Sequence, residues 1–300
     1  MDAGISGHNL VGHDRQELEQ LVAALGKAPY RGRQLYHALY CRREKEFAAL
    51  TDLDRDFRAA LAAHYEIAYP HVQGEFTSKD GAARYLLRLQ DNTAIESVYM
   101  PEEARITLCL SSQAGCAVDC RFCFTALLGL QRNLSAGEIL GQVLAVAKAR
   151  KIPPRSRLNL VFMGMGEPLL NLAQVMKAVR IFADPQAFAI PLRRLTISTS
   201  GIIPAMRELA RDPMRPKLAV SLNASKSQLS KMGTPMATIE MRWTGKNPGG
   251  LPSTPDGITS EARIFAKMPP IVCAGRAARG ARGRSVIGGR FSPKLCRLWP

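Results

Sequence analysis

From Asp14 the chain reads DRQELEQLVAALG, with apolar residues at helical spacing, which predicts an amphipathic helix capped by Asp14 and stopped at Gly26. YRGRQLYHALY follows, placing Leu35, Ala38 and Leu39 on one face with Arg31, Arg33 and Arg42 around it. LTDLDRDFRAALAAHY repeats the pattern, with Thr51 or Asp52 as the expected cap. Residues 9–70 therefore read as a small helical module. Between 74 and 110 the period changes to two, in ARYLLRLQ, AIESVYM and RITLCLSS, which predicts strands. SAGEILGQVLAVAKAR is then a long helix opened by Ser135, with Glu138 at capping-box spacing. Beyond it, strands in RLNLVFMGMGEP, RRLTISTSG and KLAVSLNAS alternate with helices in LAQVMKAVRIFA and IPAMRELAR. Such alternation predicts an α/β fold, a parallel βα barrel or a doubly wound sheet.

The strands end in small or polar residues: Ser111–Ser112, Gly164–Glu167, Ser198–Gly201 and Ser221–Asn223. Parallel α/β folds build their sites at such C-terminal strand ends. After Ser230 neither period continues, so the last strands of a barrel are missing or replaced. An open edge, an exposed apolar face and poor stability are then expected. The predicted divisions are an N-terminal helical accessory domain over 1–72, a βα core over 73–230 and an anomalous tail over 231–300.

Composition sharpens that last boundary. The chain carries a net charge of +16, and residues 231–300, with 12 Lys/Arg and 3 Asp/Glu, contribute +9 of it. That tail also holds 18 of the 43 Gly and Pro, a share characteristic of low-complexity sequence. It reads as a disordered end or as translation in a shifted frame. A basic chain suits a polyanionic partner, and a basic, aromatic-containing helical module can touch RNA phosphates. The start is polar and lacks the apolar core of a secretory leader, and no apolar run approaches a membrane span, so a reducing, cytoplasmic setting is expected.

In such a setting CAVDCRFCFTA stands out, because Cys116, Cys120 and Cys123 fall within eight residues. Seven cysteines are an odd number for a disulfide framework. A closed zinc site wants four ligands; no His follows His71, which leaves Cys109 as a fourth in principle. A redox pair at Cys120 and Cys123 leaves Cys116 unused. An iron–sulfur cluster held by three thiolates with one open iron fits the number and the spacing.

The C-x3-C-x2-C spacing, with Phe122 before the last cysteine, resembles the radical S-adenosylmethionine superfamily signature. More narrowly, CLSSQAGCAVDCRFCFTALLGLQRNLSAGEILGQV is similar to the RlmN family of RNA adenine-C2 methyltransferases, as are YRGRQLYHALY, IESVYMPEEARITLC, NLVFMGMGEPLLN, LTISTSGIIP and AVSLNAS, in order, across residues 9–230. The resemblance implies a partial radical S-adenosylmethionine barrel. It implies that Cys116, Cys120 and Cys123 ligate a [4Fe–4S] cluster, and that Gly166, Glu167, Ser198, Ser221, Leu222 and Asn223 bind S-adenosylmethionine, two molecules per turnover. One molecule methylates a C-terminal cysteine; the other yields the radical that activates that methyl group for addition to adenine C2. Glu96 would accept the proton, and Cys109 would resolve the adduct through a transient disulfide. Implied substrates are 23S ribosomal RNA and tRNA next to the anticodon, with an electron donor such as a flavodoxin and no membrane. Residues 231–300 match none of the family's C-terminal pattern, and Cys273 and Cys296 sit outside the motif of the methylated cysteine. A C8-methylating relative and a catalytically defective iron–sulfur RNA-binding remnant are the alternatives.

Overall fold

The computed structural model of the protein describes residues 8–118, 120, 123–222, 237–241 and 262–265. The chain opens with β1 (His8–Asn9), α1 (Arg15–Ala24), α2 (Tyr30–His37), α3 (Arg55–His64) and β2 (Tyr65–Glu66), the two short strands pairing in parallel. Asp14 caps α1, as the sequence predicts, and Glu17 completes a capping box with it. The cap of α3 is Asp54 rather than Thr51 or Asp52, its carboxylate accepting from the Phe57 N–H at 2.8 Å. Thr51 to Leu53 instead turn so that Leu50 and Leu53 are buried, and Asp52 is drawn to Arg42 at 2.8 Å.

The remainder is built on β3 (His71–Thr77), β4 (Ala83–Arg88), β5 (Ala94–Glu102) and β6 (Arg105–Cys109), followed by β7 (Gln113–Gly115), α4 (Phe124–Leu127) and β8 (Leu130–Asn133). Then come α5 (Ala136–Ala149), β9 (Leu158–Phe162), α6 (Leu172–Ala183), β10 (Leu195–Thr199), α7 (Ile203–Arg211) and β11 (Lys217–Leu222), with β12 (Ala237–Met241) and β13 (Ala262–Phe265) last. Nine strands form one sheet in the order β13-β12-β11-β10-β9-β6-β5-β4-β3. Its centre, β6-β9-β10-β11, is parallel, as helical crossovers require, and its flanks are antiparallel. The fold is therefore α/β with a partial parallel barrel. Beyond Ser230, where the sequence shows no rhythm, β12 lies antiparallel against β11 and β13 against β12, so β11 is not an open edge.

One sheet face makes the core. In β9 Leu158, Leu160 and Phe162 are buried while Asn159 and Val161 are half-buried, and β10 repeats this with Leu195 and Ile197 against Thr196 and Ser198. The buried set joins Ile139, Leu140 and Val143 of α5 and Val175, Val179 and Phe182 of α6 in a cluster that extends into Leu18, Leu35 and Phe57 of the N-terminal helices. Parallel strands buried on both faces are apolar throughout. Here the alternation marks a second face kept for polar side chains. Among the described residues no helix is long and apolar enough to cross a membrane.

Helix α5 is buried almost all round because it is packed between α6, the sheet and the N-terminal segment at Val11–Gly12 and Pro70. Its first turn touches the module where a Cβ on Gly137 would stand 2.2 Å from the Val11 carbonyl oxygen. The contact is braced by Lys177 on Glu17 at 2.6 Å and by the Tyr36 hydroxyl donating to Asp184 at 3.0 Å. Gly137→Ala gains about 1 kcal/mol of helix propensity, but the added methyl meets backbone that cannot swing aside. A net destabilisation of about 1–3 kcal/mol is expected in denaturant unfolding, with faster proteolysis near residues 67–70. A variant as stable as the parent would contradict this docking.

Candidate functional site at the parallel strand ends

Register places the site residues. Phe76 lies opposite Arg84, Arg84 opposite Val98, Val98 opposite Cys109, Cys109 opposite Val161, Val161 opposite Thr196 and Thr196 opposite Lys217. Residues directly opposite share a face, as do residues two apart along a strand. Glu96, Cys109 and Ser198 therefore share the half-open face, and so does Ser221, two positions on from Ala219, the partner of Ser198. The Ser198 and Ser221 hydroxyls are 3.3 Å apart. All four lie toward the C-terminal ends of the parallel strands.

Those ends are buried, so their backbone polar groups need partners that a ladder no longer supplies. Side chains supply them. The Gln142 amide, fully buried on α5, accepts from the Ser111 N–H at 2.8 Å and donates to the Ser111 carbonyl at 2.9 Å, as a neighbouring strand would. The Ser111 hydroxyl donates to the Glu96 carbonyl at 2.6 Å and accepts from the Met165 N–H at 2.9 Å. Asn171 donates to the carbonyls of Ser112 and Leu134, both at 2.8 Å. Gln113 accepts from the Glu167 N–H at 2.8 Å.

Glu167 is buried, and its carboxylate is shared between two elements. One oxygen caps the turn that follows, accepting from the Leu169 N–H at 3.0 Å; the other accepts from the N–H and hydroxyl of Ser200, at 2.7 and 2.9 Å. The capping role and the strand-edge role thus coexist in one side chain. Before it, Gly166 has φ +96°, and a Cβ there would stand 2.5 Å from the Gln113 Cβ, so only glycine lets the two edges meet.

Cys116, Cys120 and Cys123 lie on the loop from β7 into α4, half-buried and reduced. The loop is pinned by the Cys116 N–H on the Gly129 carbonyl at 3.0 Å and the Cys123 N–H on the Cys120 carbonyl at 2.9 Å, while the Val118 N–H points at the Cys116 sulfur at 3.4 Å. Burial pushes the Cys116 thiol up, an effect the Val118 N–H opposes and nearby Cys123 and Glu167 reinforce. The loop therefore lies beside the Glu167 edge. Among the described residues no trio of His, Cys, Asp or Glu is drawn together as a ligand cage. Thiols repel once ionised, and a site of this kind closes when metal compensates the charge. Three soft, accessible sulfurs with an N–H aimed at one of them fit an iron–sulfur cluster in donor type.

Glu96 is held by Arg84 at 2.9 Å, both side chains largely shielded. Burial raises its affinity for a proton, which the Arg84 guanidinium only partly opposes. Cys109 is buried, and its thiol is pushed up to about 12 by that burial, against a hydrogen bond from the Met163 backbone. At neutral pH it is a protonated thiol. Glu96 and Cys109 are diagonal neighbours across β5 and β6, roughly 7–8 Å apart.

Of the residues singled out from sequence, Glu96, Cys109, Gly166, Glu167, Ser198, Ser221 and the three cysteines gather at this edge. Leu222 ends β11, and Asn223, Phe122, Cys273 and Cys296 lie outside the described residues. Sequence reasoning did not single out Arg84, Gln113, Gln142, Asn171 or Ser200, whose value is in pairing with distant backbone. A cavity of about 660 Å³ lies elsewhere, between the N-terminal module and the start of α5. Two of its basic side chains are paired, Arg132 with Glu138 and Asp91 and Lys177 with Glu17.

Known proteins resemble this chain in sequence and in overall fold. The pattern described as the ribosomal RNA large subunit methyltransferase N-terminal domain matches residues 8–67, and that of the radical SAM superfamily matches residues 110–245. A probable dual-specificity RNA methyltransferase RlmN from Koribacter versatilis is 46% identical, over 73% of this chain and 67% of that protein. The dual-specificity RNA methyltransferase RlmN of Rhodospirillum rubrum is 43% identical, over 74% of this chain and 53% of its own length. The chain thus spans about half to two thirds of the curated relatives it matches. A crystal structure of a radical SAM methyltransferase from Sphaerobacter thermophilus superposes with a TM-score of 0.66 at 39% identity, covering 70% of this chain and 62% of that one. By these matches the chain belongs to the RlmN family of the radical SAM superfamily.

Proposed function

We propose that this chain is a radical S-adenosylmethionine methyltransferase that adds a methyl group to C2 of an adenosine in 23S ribosomal RNA, and of the adenosine next to the anticodon in tRNA, by way of a methylcysteine. The observation that carries the reading is the single half-open sheet face, which gathers Glu96, Cys109, Ser198 and Ser221 beside the Cys116–Cys123 loop. Cys116, Cys120 and Cys123 would hold a [4Fe–4S] cluster and Gly166, Glu167, Ser198, Ser221, Leu222 and Asn223 the S-adenosylmethionine, together supplying the one-electron chemistry that an unactivated aromatic carbon needs. Glu167 brings negative charge to that edge and is held there by three donors. Ser198 and Ser221 offer hydroxyls that donate or accept.

Glu96 takes the proton lost from the RNA base; shielding makes it a stronger base than an exposed carboxylate, and Arg84 fixes its direction. Cys109, kept as a thiol by burial, stays unreactive until the substrate is in place. The substrates imply a cytoplasmic enzyme reduced by a donor such as a flavodoxin.

The test is anaerobic reconstitution of the full chain, followed by mass spectrometry of treated RNA. The expected product is 2-methyladenosine; 8-methyladenosine would assign the C8-methylating chemistry instead. Cleavage of S-adenosylmethionine with no methyl on RNA would reduce the chain to a remnant. A second measurement addresses Glu96. A base with a raised pKa loses activity as pH falls through that pKa, so the acid limb of the rate lies above the ordinary glutamate range. Arg84→Ala removes the guanidinium whose charge and hydrogen bond lower this pKa, so the limb moves to higher pH. Glu96→Gln slows methyl transfer about 10²- to 10⁴-fold. A limb that stays put in Arg84→Ala would remove Glu96 as the proton acceptor.

A further inference from the structure

We infer that Phe76 and Arg84 form a stacking platform for an unpaired nucleobase of the RNA, next to the base that is modified; the inference rests on the reading of the site as an RNA-modifying one. Phe76 stands on β3 at the outer end of the row that runs through Arg84 and Val98 to Cys109. It is 52% exposed on the face that carries Glu96 and Cys109. A single exposed apolar side chain is ordinary. Its setting is not.

The Arg84 guanidinium carbon lies over the Phe76 ring, 4.8 Å from its centre, and one of the guanidinium nitrogens donates to Glu96 at 2.9 Å. The planar cation is thus fixed and largely shielded before any ligand arrives, with little side-chain freedom left to lose on binding. Gly74 precedes Phe76 on the same face, and a Cβ there would stand 3.3 Å from the ring's Cε2. The missing side chain lets the ring settle along the strand.

With Arg84 over one face of the Phe76 ring, the ring's other face suits a nucleobase, because unpaired RNA bases stack on aromatic side chains. A phosphate fits less well, since Glu96 already offsets the charge of Arg84. Three strand spacings separate Phe76 from Cys109, roughly 14 Å at the usual interval. That is too far for the reacting base and suited to a neighbouring one. Stacking tolerates any base, so the platform orders the strand without reading its sequence.

The experiment measures binding of the full chain to short unpaired RNA carrying 2-aminopurine at successive positions around the target adenosine. The platform gives quenching at one flanking position. Phe76→Ala abolishes that quenching and weakens binding about 5- to 150-fold, the range of base–aromatic stacking. The salt dependence keeps its slope, because no phosphate contact is removed. Phe76→Tyr restores both signals, and the melting temperature is unchanged in each variant because the ring is half exposed. If the parent chain binds no RNA, the functional reading falls and the platform with it. If the parent binds and methylates RNA while Phe76→Ala does so equally well, the platform alone is overturned. A lowered melting temperature with unaltered RNA binding also overturns it, and identifies Phe76 as a cover for the sheet edge.

Discussion

The backbone at the end of β6 leaves its ladder while still buried, and everything around the site depends on how that end is satisfied. A buried peptide group without a partner costs about 1–3 kcal/mol, and Ser111 to Gln113 present several. Gln142 completes Ser111 as a strand would, Asn171 takes the Ser112 carbonyl, and Gln113 reaches across to Glu167. Because these partners come from α5, from the turn before α6 and from the end of β9, one set of hydrogen bonds fixes three elements at once. Glu167 then passes the constraint to β10 through Ser200. The cysteine loop leaves from this clamped edge, so its origin is rigid even though its thiols are accessible.

The same clamp explains why the two sheet faces differ. Rigid, buried strand ends allow the opposite face of the parallel strands to carry Asn159, Thr196 and Ser198 in place of the apolar residues that a fully covered sheet would need. Polar side chains on a partly shielded surface have perturbed chemistry. Burial raises the proton affinity of Glu96 and keeps Cys109 a thiol, and these are the two groups nearest the antiparallel side of the row. A carboxyl and a thiol that both hold their protons more tightly than usual are a coherent pair: one becomes a stronger base, the other stays dormant at neutral pH.

Much of this was legible in the residues. The cap at Asp14, the capping box at Ser135, the period-two runs and the small or polar strand endings set out the α/β order, and the cysteine spacing marked the loop. Features that depend on tertiary pairing were not legible. Thr51 and Asp52 look like good caps on paper, but the cap is Asp54, while Asp52 pairs with Arg42. Ser200 and Gln142 look like a loop serine and a mid-helix amide until their backbone partners, tens of residues away, are known. The antiparallel β12 and β13 fall in Gly/Pro-rich sequence, where neither period betrays a strand. Phe76 carries no local sign of its face, since one bulge beside Gly74 shifts the register that decides it.

Charge behaves similarly. The net +16 suggests a surface that attracts RNA by its phosphates, yet +9 of it belongs to residues 231–300. Among the described residues, many cations are tied to carboxylates: Arg132 to Asp91 and Glu138, Arg150 to Glu75, Lys177 to Glu17 and Arg84 to Glu96. Such pairs are structural first, and a phosphate competing for them must displace a carboxylate already in place. Long-range attraction by unpaired charge also fades beyond about 8–10 Å at physiological salt. On the proposed function, phosphate attraction would bring RNA to this protein more readily than it would orient it. Orientation at the half-open face has to come from flat surfaces and directional hydrogen bonds, which salt screens little, and the row from Phe76 to Ser221 is where the fold supplies both.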